Sequence, residues 1–199
     1  GDMLMQIART NNSRILPVDS EPSAIWQCLQ GESQPVEKLI ITGSGGALRD
    51  FPRNKLSDVT PHQALKHPTW QMGSKITVDS ATMINKAFEV IEAHLLFDIP
   101  WKDIDVVIHP QSIIHSLVSY KDGSVIAQMG SPDMRTPIAY ALSCPDRIET
   151  AVERLDLVAL SRLDFSEPDH QRFPALNLAR LAADAGTLGT SVFNAANEA

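Results

Sequence analysis

Two carboxylates, Asp19 and Glu21, stand two positions apart in "LPVDSEPSAIW", where an apolar run meets a predicted helix. In extended backbone, residues two apart point to the same side, so both carboxylates can face one cation. Hard divalent ions such as Mg²⁺ and Mn²⁺ prefer oxygen ligands of this kind. Alternatively, Asp19 and Ser20 cap the following helix, and Glu21 favours its positive end. The motif alone favours the helix cap.

A second group of polar residues lies in "VDSATMINKAFEVIE", at the start of the longest predicted helix. Hydroxyl, amide and ammonium donors gathered at a helix N-terminus are typical of a phosphate site. These donors are Ser80, Thr82, Asn85 and Lys86. Glu89 follows Asn85 by four residues and shares its helical face, so it can turn a third carboxylate towards the same ligand. The competing interpretation is a capped helix with a solvated polar face.

Two loops could complete such a site. In "TGSGG", glycines after a predicted strand let backbone N–H groups approach an anion. The sequence matches neither G-x-G-x-x-G nor a Walker loop, so an ordinary turn is at least as well supported. In "KHPTWQMG", His67 and Trp70 suit a lid that closes over a ligand, whereas a buried Trp anchoring a surface loop is the commoner case. For His109 and His115, on predicted strands, structural hydrogen bonds are expected.

Hydrophobic periodicity predicts the elements that hold these residues. Strands are predicted at "RILPV", "KLIIT", "KITVD" and "IDVVIHP", and a hairpin with the turn "KDG" at "IIHSLVSYKDGSVIAQM". Helices are predicted in the first ten residues, after Ser20, from the "TPHQ" capping box to about His67, over about 83–97, after Pro137, and in "FPALNLARLAADAG". The predicted fold is α+β: a mixed, largely antiparallel sheet with helices packed on it, followed by a linker and the start of a helical domain.

Composition excludes several classes of protein. The 199 residues are 43% hydrophobic and 21% charged, as in ordinary globular proteins. A net charge of −7 without clustered Lys and Arg argues against nucleic-acid binding. No apolar run approaches the ~20 residues needed to span a bilayer. Two distant cysteines, Cys28 and Cys144, predict reduced thiols in a cytoplasmic compartment. Both chain ends lack helix caps, so we expect a piece of a longer protein.

Several motifs together resemble one family over nearly the whole chain. They are "LPVDSE", "TGSGG", "HPTWQMGSKITVDSATMINK" with Glu89 following, "IHPQSIIHS" and "GSPDMRTPIAYAL". The chain is identified by them as similar to 1-deoxy-D-xylulose 5-phosphate reductoisomerases. The family converts 1-deoxy-D-xylulose 5-phosphate to 2-C-methyl-D-erythritol 4-phosphate for isoprenoid biosynthesis, using NADPH and a divalent metal. The resemblance therefore implies a bacterial cytoplasmic homodimer acting on a phosphosugar with Mg²⁺ or Mn²⁺, Co²⁺ being a third candidate.

The resemblance also implies roles for individual residues. The metal ligands are Asp19, Glu21 and Glu89. The phosphate pocket comprises Ser44, Ser80, Asn85 and Lys86, and Ser20 contacts the substrate. The flap carries His67 and Trp70, and methionines near the nicotinamide are Met72 and Met134. His115 belongs to the active-site region without a defined role.

The resemblance divides the chain into four parts. These are the end of the dinucleotide-binding domain (1–18), the catalytic domain (19–142), a linker (143–171) and the start of the C-terminal helical domain (172–199). Two other functions are weighed: a catalytically inert phosphate- or metal-binding module, because the chain has no dinucleotide fingerprint, and a metal-dependent phosphohydrolase. The latter needs a nucleophile or base beyond the three carboxylates, and none stands out.

Overall fold

The computed structural model describes residues 1–199, except for the side chain of residue 187. Its centre is a four-stranded sheet in the order β2-β1-β3-β4. The strands are β1 (Val36–Gly43), β2 (Ile104–Ile108), β3 (Ile114–Tyr120) and β4 (Val125–Met129). β1 pairs parallel with β2 and antiparallel with β3, and β3 pairs antiparallel with β4. The mixed, largely antiparallel sheet and its hairpin are therefore confirmed.

Helices make up much of the rest of the chain, and α2 and α5 pack on the sheet. They are α1 (Asp2–Thr10), α2 (Ser20–Cys28), α3 (Pro61–Ala64), α4 (Ser74–Ala81), α5 (Ile84–Phe97), α6 (Arg135–Ser143), α7 (Leu157–Leu160), α8 (Ala175–Asp184) and α9 (Thr187–Glu198). Short 3₁₀ helices cover Arg53–Asp58 and Trp101–Asp103. The α+β class is confirmed, with helices at the C-terminal end. Within the described residues, none of the helices has the length and apolar character required to cross a membrane.

The core lies between the sheet and the helices α2 and α5. α2 packs on β3 and β4, and α8 packs on α5. Ile25, Leu39, Ile104 and Val118 are fully buried there. Each buried Ile, Leu or Val side chain contributes roughly 1.5–3 kcal/mol of hydrophobic free energy. This packing fixes the starts of α2 and α5 relative to the end of β1, where the candidate site lies.

Two predicted strands are wrong. "KITVD" is part of α4, where the Thr77 N–H and hydroxyl both bond the Gly73 carbonyl. Its β-branched residues suggested a strand, but tertiary packing overrides that weak preference. Ile76 and Val78, which a strand would have buried, are 39% and 41% exposed. "RILPV" has no regular structure and runs outside the four-stranded sheet, since Pro17 has no N–H for a ladder.

The "TPHQ" capping box is present, with reciprocal bonds between Thr60 and Gln63, although its helix ends at Ala64 rather than near His67. In the predicted linker, α7 forms a short helix, and Ser166 bridges Ile108 at the sheet edge. The division of the chain into domains stays a prediction.

Candidate metal and phosphate site

The start of α2 presents two carboxylates. Asp19 has extended backbone (φ −67°, ψ 147°) and caps the helix by accepting the Ser20 N–H at 2.8 Å. The predicted cap thus falls on Asp19, and Ser20 is the first helical residue. The Ser20 hydroxyl donates to Glu21 Oε2 at 2.7 Å. This turn therefore holds both carboxylates in defined positions.

α5 brings a third carboxylate to the first two. Ligand oxygens of Asp19, Glu21 and Glu89 all lie within 4.8 Å of one another. Glu89 is 2% exposed, because α5 packs it between α2 and the sheet. Three clustered carboxylate oxygens are a donor set that suits a hard divalent cation. The residues present therefore fit the divalent metal that the family resemblance implies.

Lys86 lies among these carboxylates. Its Nζ is 2.5 Å from Glu89 Oε2 and 3.5 Å from Glu21 Oε1. Asn85 donates to the other Glu89 oxygen at 2.7 Å. The Lys86 stem crosses the end of β1 at Gly43, where a Cβ would lie 2.9 Å from Lys86 Cε. Lys86 and Asn85, which are both predicted to bind phosphate, thus bond Glu89 in this structure.

Burial and mutual repulsion perturb these groups. Burial, and then Glu21, raise the pKa of Glu89 well above its ordinary value. The pKa of Asp19 rises for the same two reasons. Burial opposes the charge on Lys86, but Glu21, Glu89 and Asp19 outweigh it and raise its pKa. A charged ammonium therefore neutralises part of an otherwise costly cluster.

The glycine-rich loop and the flap meet at Ser44. Its hydroxyl is 3.0 Å from His67 Nε2 and accepts the Gly46 N–H at 3.1 Å. His67 Nδ1 accepts N–H bonds from Thr69 and Trp70. Nε2 therefore carries the ring proton and donates to Ser44. Burial, then Arg49, lower the pKa of His67, which favours this neutral form. Since the Ser44 oxygen accepts twice, its hydrogen remains to be donated to a ligand.

One cavity of about 230 Å³ joins these elements. Its lining includes the residues that the family resemblance implies for metal, phosphate, flap and nicotinamide contacts: Asp19, Ser20, Glu21, Ser44, His67, Trp70, Met72, Ser80, Asn85, Lys86, Glu89 and Met134. The prediction of Thr82 as a phosphate donor is wrong: Thr82 lies outside this lining, is exposed, and donates its hydroxyl to the Val78 and Asp79 carbonyls of α4. Sequence reasoning missed Thr42, Gln71, Ile76, Met83 and Ser112, which also line it. Ser112 follows His109 in "HPQS" and has a left-handed backbone (φ 53°), which single-sequence patterns do not reveal.

The two histidines predicted on strands lie outside that lining: His115 is on β3, whereas His109 comes just after the end of β2. His115 is 6% exposed, its ring centroid is 6.2 Å from that of Trp70, and burial lowers its pKa. It borders a separate cavity of about 10 Å³ that also includes Ser20. His109 Nδ1 lies 2.8 Å from the Asp164 carbonyl, and its ring stacks on Phe165. The expected structural hydrogen bond is therefore present at His109.

Comparison with known proteins agrees with this geometry. The family model described as 1-deoxy-D-xylulose 5-phosphate reductoisomerase C-terminal domain matches residues 15–97, and the one described as DXP reductoisomerase C-terminal domain matches residues 129–199. The 1-deoxy-D-xylulose 5-phosphate reductoisomerase of Chlorobaculum tepidum is 55% identical over 199 residues, which are 100% of this chain and 52% of that protein. That of Paraburkholderia xenovorans is 56% identical over 201 residues, 100% of this chain and 50% of that protein.

Solved structures give the same result. The enzyme from Zymomonas mobilis in complex with NADPH has a TM-score of 0.91 at 47% identity, covering 98% of this chain and 51% of that one. A DOX-P reductoisomerase in complex with NADPH, fosmidomycin and magnesium has a TM-score of 0.94 at 45% identity, covering 99% and 51%. The chain thus spans about half the length of the relatives it matches. Together, these matches show that it belongs to the 1-deoxy-D-xylulose 5-phosphate reductoisomerase family.

Proposed function

We propose that this chain supplies the metal- and phosphate-binding part of an enzyme that converts 1-deoxy-D-xylulose 5-phosphate to 2-C-methyl-D-erythritol 4-phosphate with NADPH. The observation that carries this proposal is the carboxylate cluster within 4.8 Å, beside phosphate donors in one cavity. The relatives' names and the complex of one relative with NADPH, fosmidomycin and magnesium support it.

Each part of the cavity has a proposed task. Asp19, Glu21 and Glu89 hold the cation, which when bound polarises the substrate oxygens and stabilises the negative charge that develops on them. The phosphate is bound by Ser44 and Ser80 together with Asn85 and Lys86, which in this structure contact Glu89. Fixing the substrate at two ends positions its reacting carbons.

The remaining residues orient and enclose the substrate. Ser20, held by its bond to Glu21, contacts the substrate next to the carboxylates. His67 and Trp70 belong to a flap that closes over the cavity and excludes water. Met72 and Met134 contact the nicotinamide of NADPH. Either Mg²⁺ or Mn²⁺ serves as the cation, with Co²⁺ a third candidate, and the enzyme is a cytoplasmic homodimer.

The second candidate is that this chain alone is a catalytically inert phosphate- and metal-binding module. It is favoured by the sequence, which has no G-x-G-x-x-G fingerprint for a dinucleotide. We expect no appreciable NADPH binding when this chain alone is titrated. A micromolar dissociation constant would contradict the inert module.

Mn²⁺ titration of Glu89→Gln tests the cluster. Losing one of three carboxylates should weaken Mn²⁺ binding by at least about 100-fold, since even a residue that only hydrogen-bonds to a metal ligand typically contributes about 10–100-fold to metal affinity. Glu37→Gln is the matched control, because Glu37 is exposed on β1 and bonds Ser119 instead. Equal Mn²⁺ affinity in both variants would refute the third ligand.

In the full-length protein, Lys86→Ala should raise the KM for the phosphosugar, through the lost phosphate contact. A normal KM would contradict that role. Absence of turnover by the unmodified full-length protein would refute the proposed function itself.

A further inference from the structure

A buried carboxylate outside the proposed ligand set connects α4 to the C-terminal helix α9. Asp79 is 6% exposed and uses both of its oxygens. Oδ1 accepts from Asn197 Nδ2 at 3.1 Å, and Oδ2 pairs with Lys75 Nζ at 2.6 Å. Lys75 also reaches Glu198 at 2.8 Å. These four residues, Lys75, Asp79, Asn197 and Glu198, form what we call the α4–α9 tether.

The tether acts directly beside the cavity. Asp79 immediately precedes Ser80, which lines the cavity. The Ser80 carbonyl also packs under the glycine-rich loop, where a Cβ on Gly46 would lie 2.3 Å from it. A rotation of α4 would therefore move Ser80 and disturb the loop that carries Ser44.

Besides this tether, α4 is held by its packing on α5 through small buried side chains. It has eight residues, and a helix this short depends on tertiary contacts. Its large apolar residues Ile76 and Val78 are more than one third exposed, so α4 contributes the small side chain of Ala81 to the core rather than a large apolar one. The buried polar contact to α9 is thus a principal constraint on α4 from the C-terminal side.

We propose that Asp79 is a positioning residue, which through Asn197 and Lys75 fixes α4 against α9 so that Ser80 faces the phosphate end of the cavity. The proposal rests on the proposed function for the identity of the phosphorylated ligand. It assigns to the C-terminal helix a part in phosphate binding, although none of the side chains that the structure describes in α9 lines the cavity.

The test exchanges the Asp79 carboxylate and the Asn197 amide in the full-length protein. Asn197→Asp places a second carboxylate against Asp79 and should raise the KM for 1-deoxy-D-xylulose 5-phosphate about tenfold, with kcat within about twofold. Adding Asp79→Asn to this variant restores the hydrogen bond, because the amide donor then lies on α4 and the carboxylate acceptor on α9. The double variant should return KM to within about twofold of the unmodified enzyme.

Two further measurements distinguish positioning from general stability. Mn²⁺ affinity should not change in Asn197→Asp, because the carboxylate cluster lies on α2 and α5 rather than on α4. Asp105→Asn is the matched control: it breaks the 2.8 Å ion pair with Lys38 between β1 and β2, and KM should stay unchanged. The proposal would be overturned by a lowered Tm with a normal KM in Asn197→Asp. It would also be overturned by a double variant whose KM stays as high as that of Asn197→Asp.

Glu198→Gln provides a milder variant if Asn197→Asp does not fold. It weakens the exposed Lys75 contact and should raise KM about two- to threefold; an unchanged KM would overturn the proposal. Inorganic phosphate binding, followed by ³¹P NMR, provides a readout that does not need turnover. If the unmodified enzyme turns over no phosphosugar, the proposed function fails, whereas about tenfold weaker phosphate binding in Asn197→Asp would still support the tether.

Discussion

Replacing Lys86 with Met removes the ammonium from among the three carboxylates and keeps a side chain of similar length. Lys86 is 8% exposed and contacts Glu89 at 2.5 Å and Glu21 at 3.5 Å. Removing one partner of a buried ion pair leaves uncompensated charge and costs about 3–5 kcal/mol. We therefore expect Lys86→Met to lower the free energy of unfolding by about this amount near neutral pH, measured without divalent metal.

The loss should depend on pH, with a sign set by Glu89. Burial and Glu21 raise the pKa of Glu89 above the ordinary value of 4.5, and Lys86 opposes this rise. Without Lys86 the folded protein holds the Glu89 proton to higher pH, whereas the unfolded chain releases it near 4.5. The folded state then binds more protons, so the free energy of unfolding falls as pH rises. The variant should be more strongly destabilised at about pH 8 than at about pH 5.

Urea unfolding with linear extrapolation measures both effects. Lys38→Met is the matched control, because Lys38 pairs with Asp105 at 2.8 Å while both side chains are nearly half exposed. Solvent screens that exposed pair, so its loss should destabilise the protein far less than the loss of Lys86. The reasoning is wrong if the two variants lose equal stability, or if the Lys86→Met loss is the same at both pH values.

Two other predictions concern the loop and the thiols. Gly46→Ala should destabilise the protein by about 1–3 kcal/mol and weaken phosphate binding, because Gly46 has φ +68° and an added Cβ would lie 2.3 Å from the Ser80 carbonyl. Gly73→Ala is the control, because an added Cβ at Gly73 would have no neighbouring atom within 4 Å, and the free energy of unfolding in urea should change by less than about 1 kcal/mol. Equal losses of stability in the two variants would refute the close approach of Gly46 to Ser80. Burial raises the pKa of Cys28 to about 11, so a thiol reagent at neutral pH should label the partly exposed Cys144 first. Rapid labelling of a Cys144→Ser variant would contradict this.

Much of the candidate site was predictable because its residues follow local rules. The four-residue spacing of Asn85 and Glu89 predicts their contact on one helical face, and they bond at 2.7 Å. The alternation and "KDG" turn predict the hairpin from β3 to β4, which is present. What spacing could not provide is the approach of Asp19 to Glu89, which depends on how α2 packs beside α5. The family resemblance supplied that long-range contact.

The failure at "KITVD" shows where local rules end. Isolated from the rest of the chain, its three consecutive β-branched residues, Ile76, Thr77 and Val78, favour a strand. In the fold, Thr77 and Ala81 are four apart on a buried helical face, and Asp79 accepts a hydrogen bond from Asn197, 118 positions away. No sequence window of strand or helix length contains that contact, so periodicity could not predict it.

Helix chemistry alone explains only part of the carboxylate cluster. Asp19 caps α2, and Glu21 lies in its first turn, where the helix dipole favours negative charge. Glu89 has no such benefit, because it lies in the second turn of α5, is 2% exposed, and has a pKa raised by burial and Glu21. A buried carboxylate that gains nothing from its own helix needs a compensating charge. Lys86 provides one positive charge for three carboxylates, and a divalent cation would provide two more, so Glu89 is the residue that favours a metal site over a helix cap.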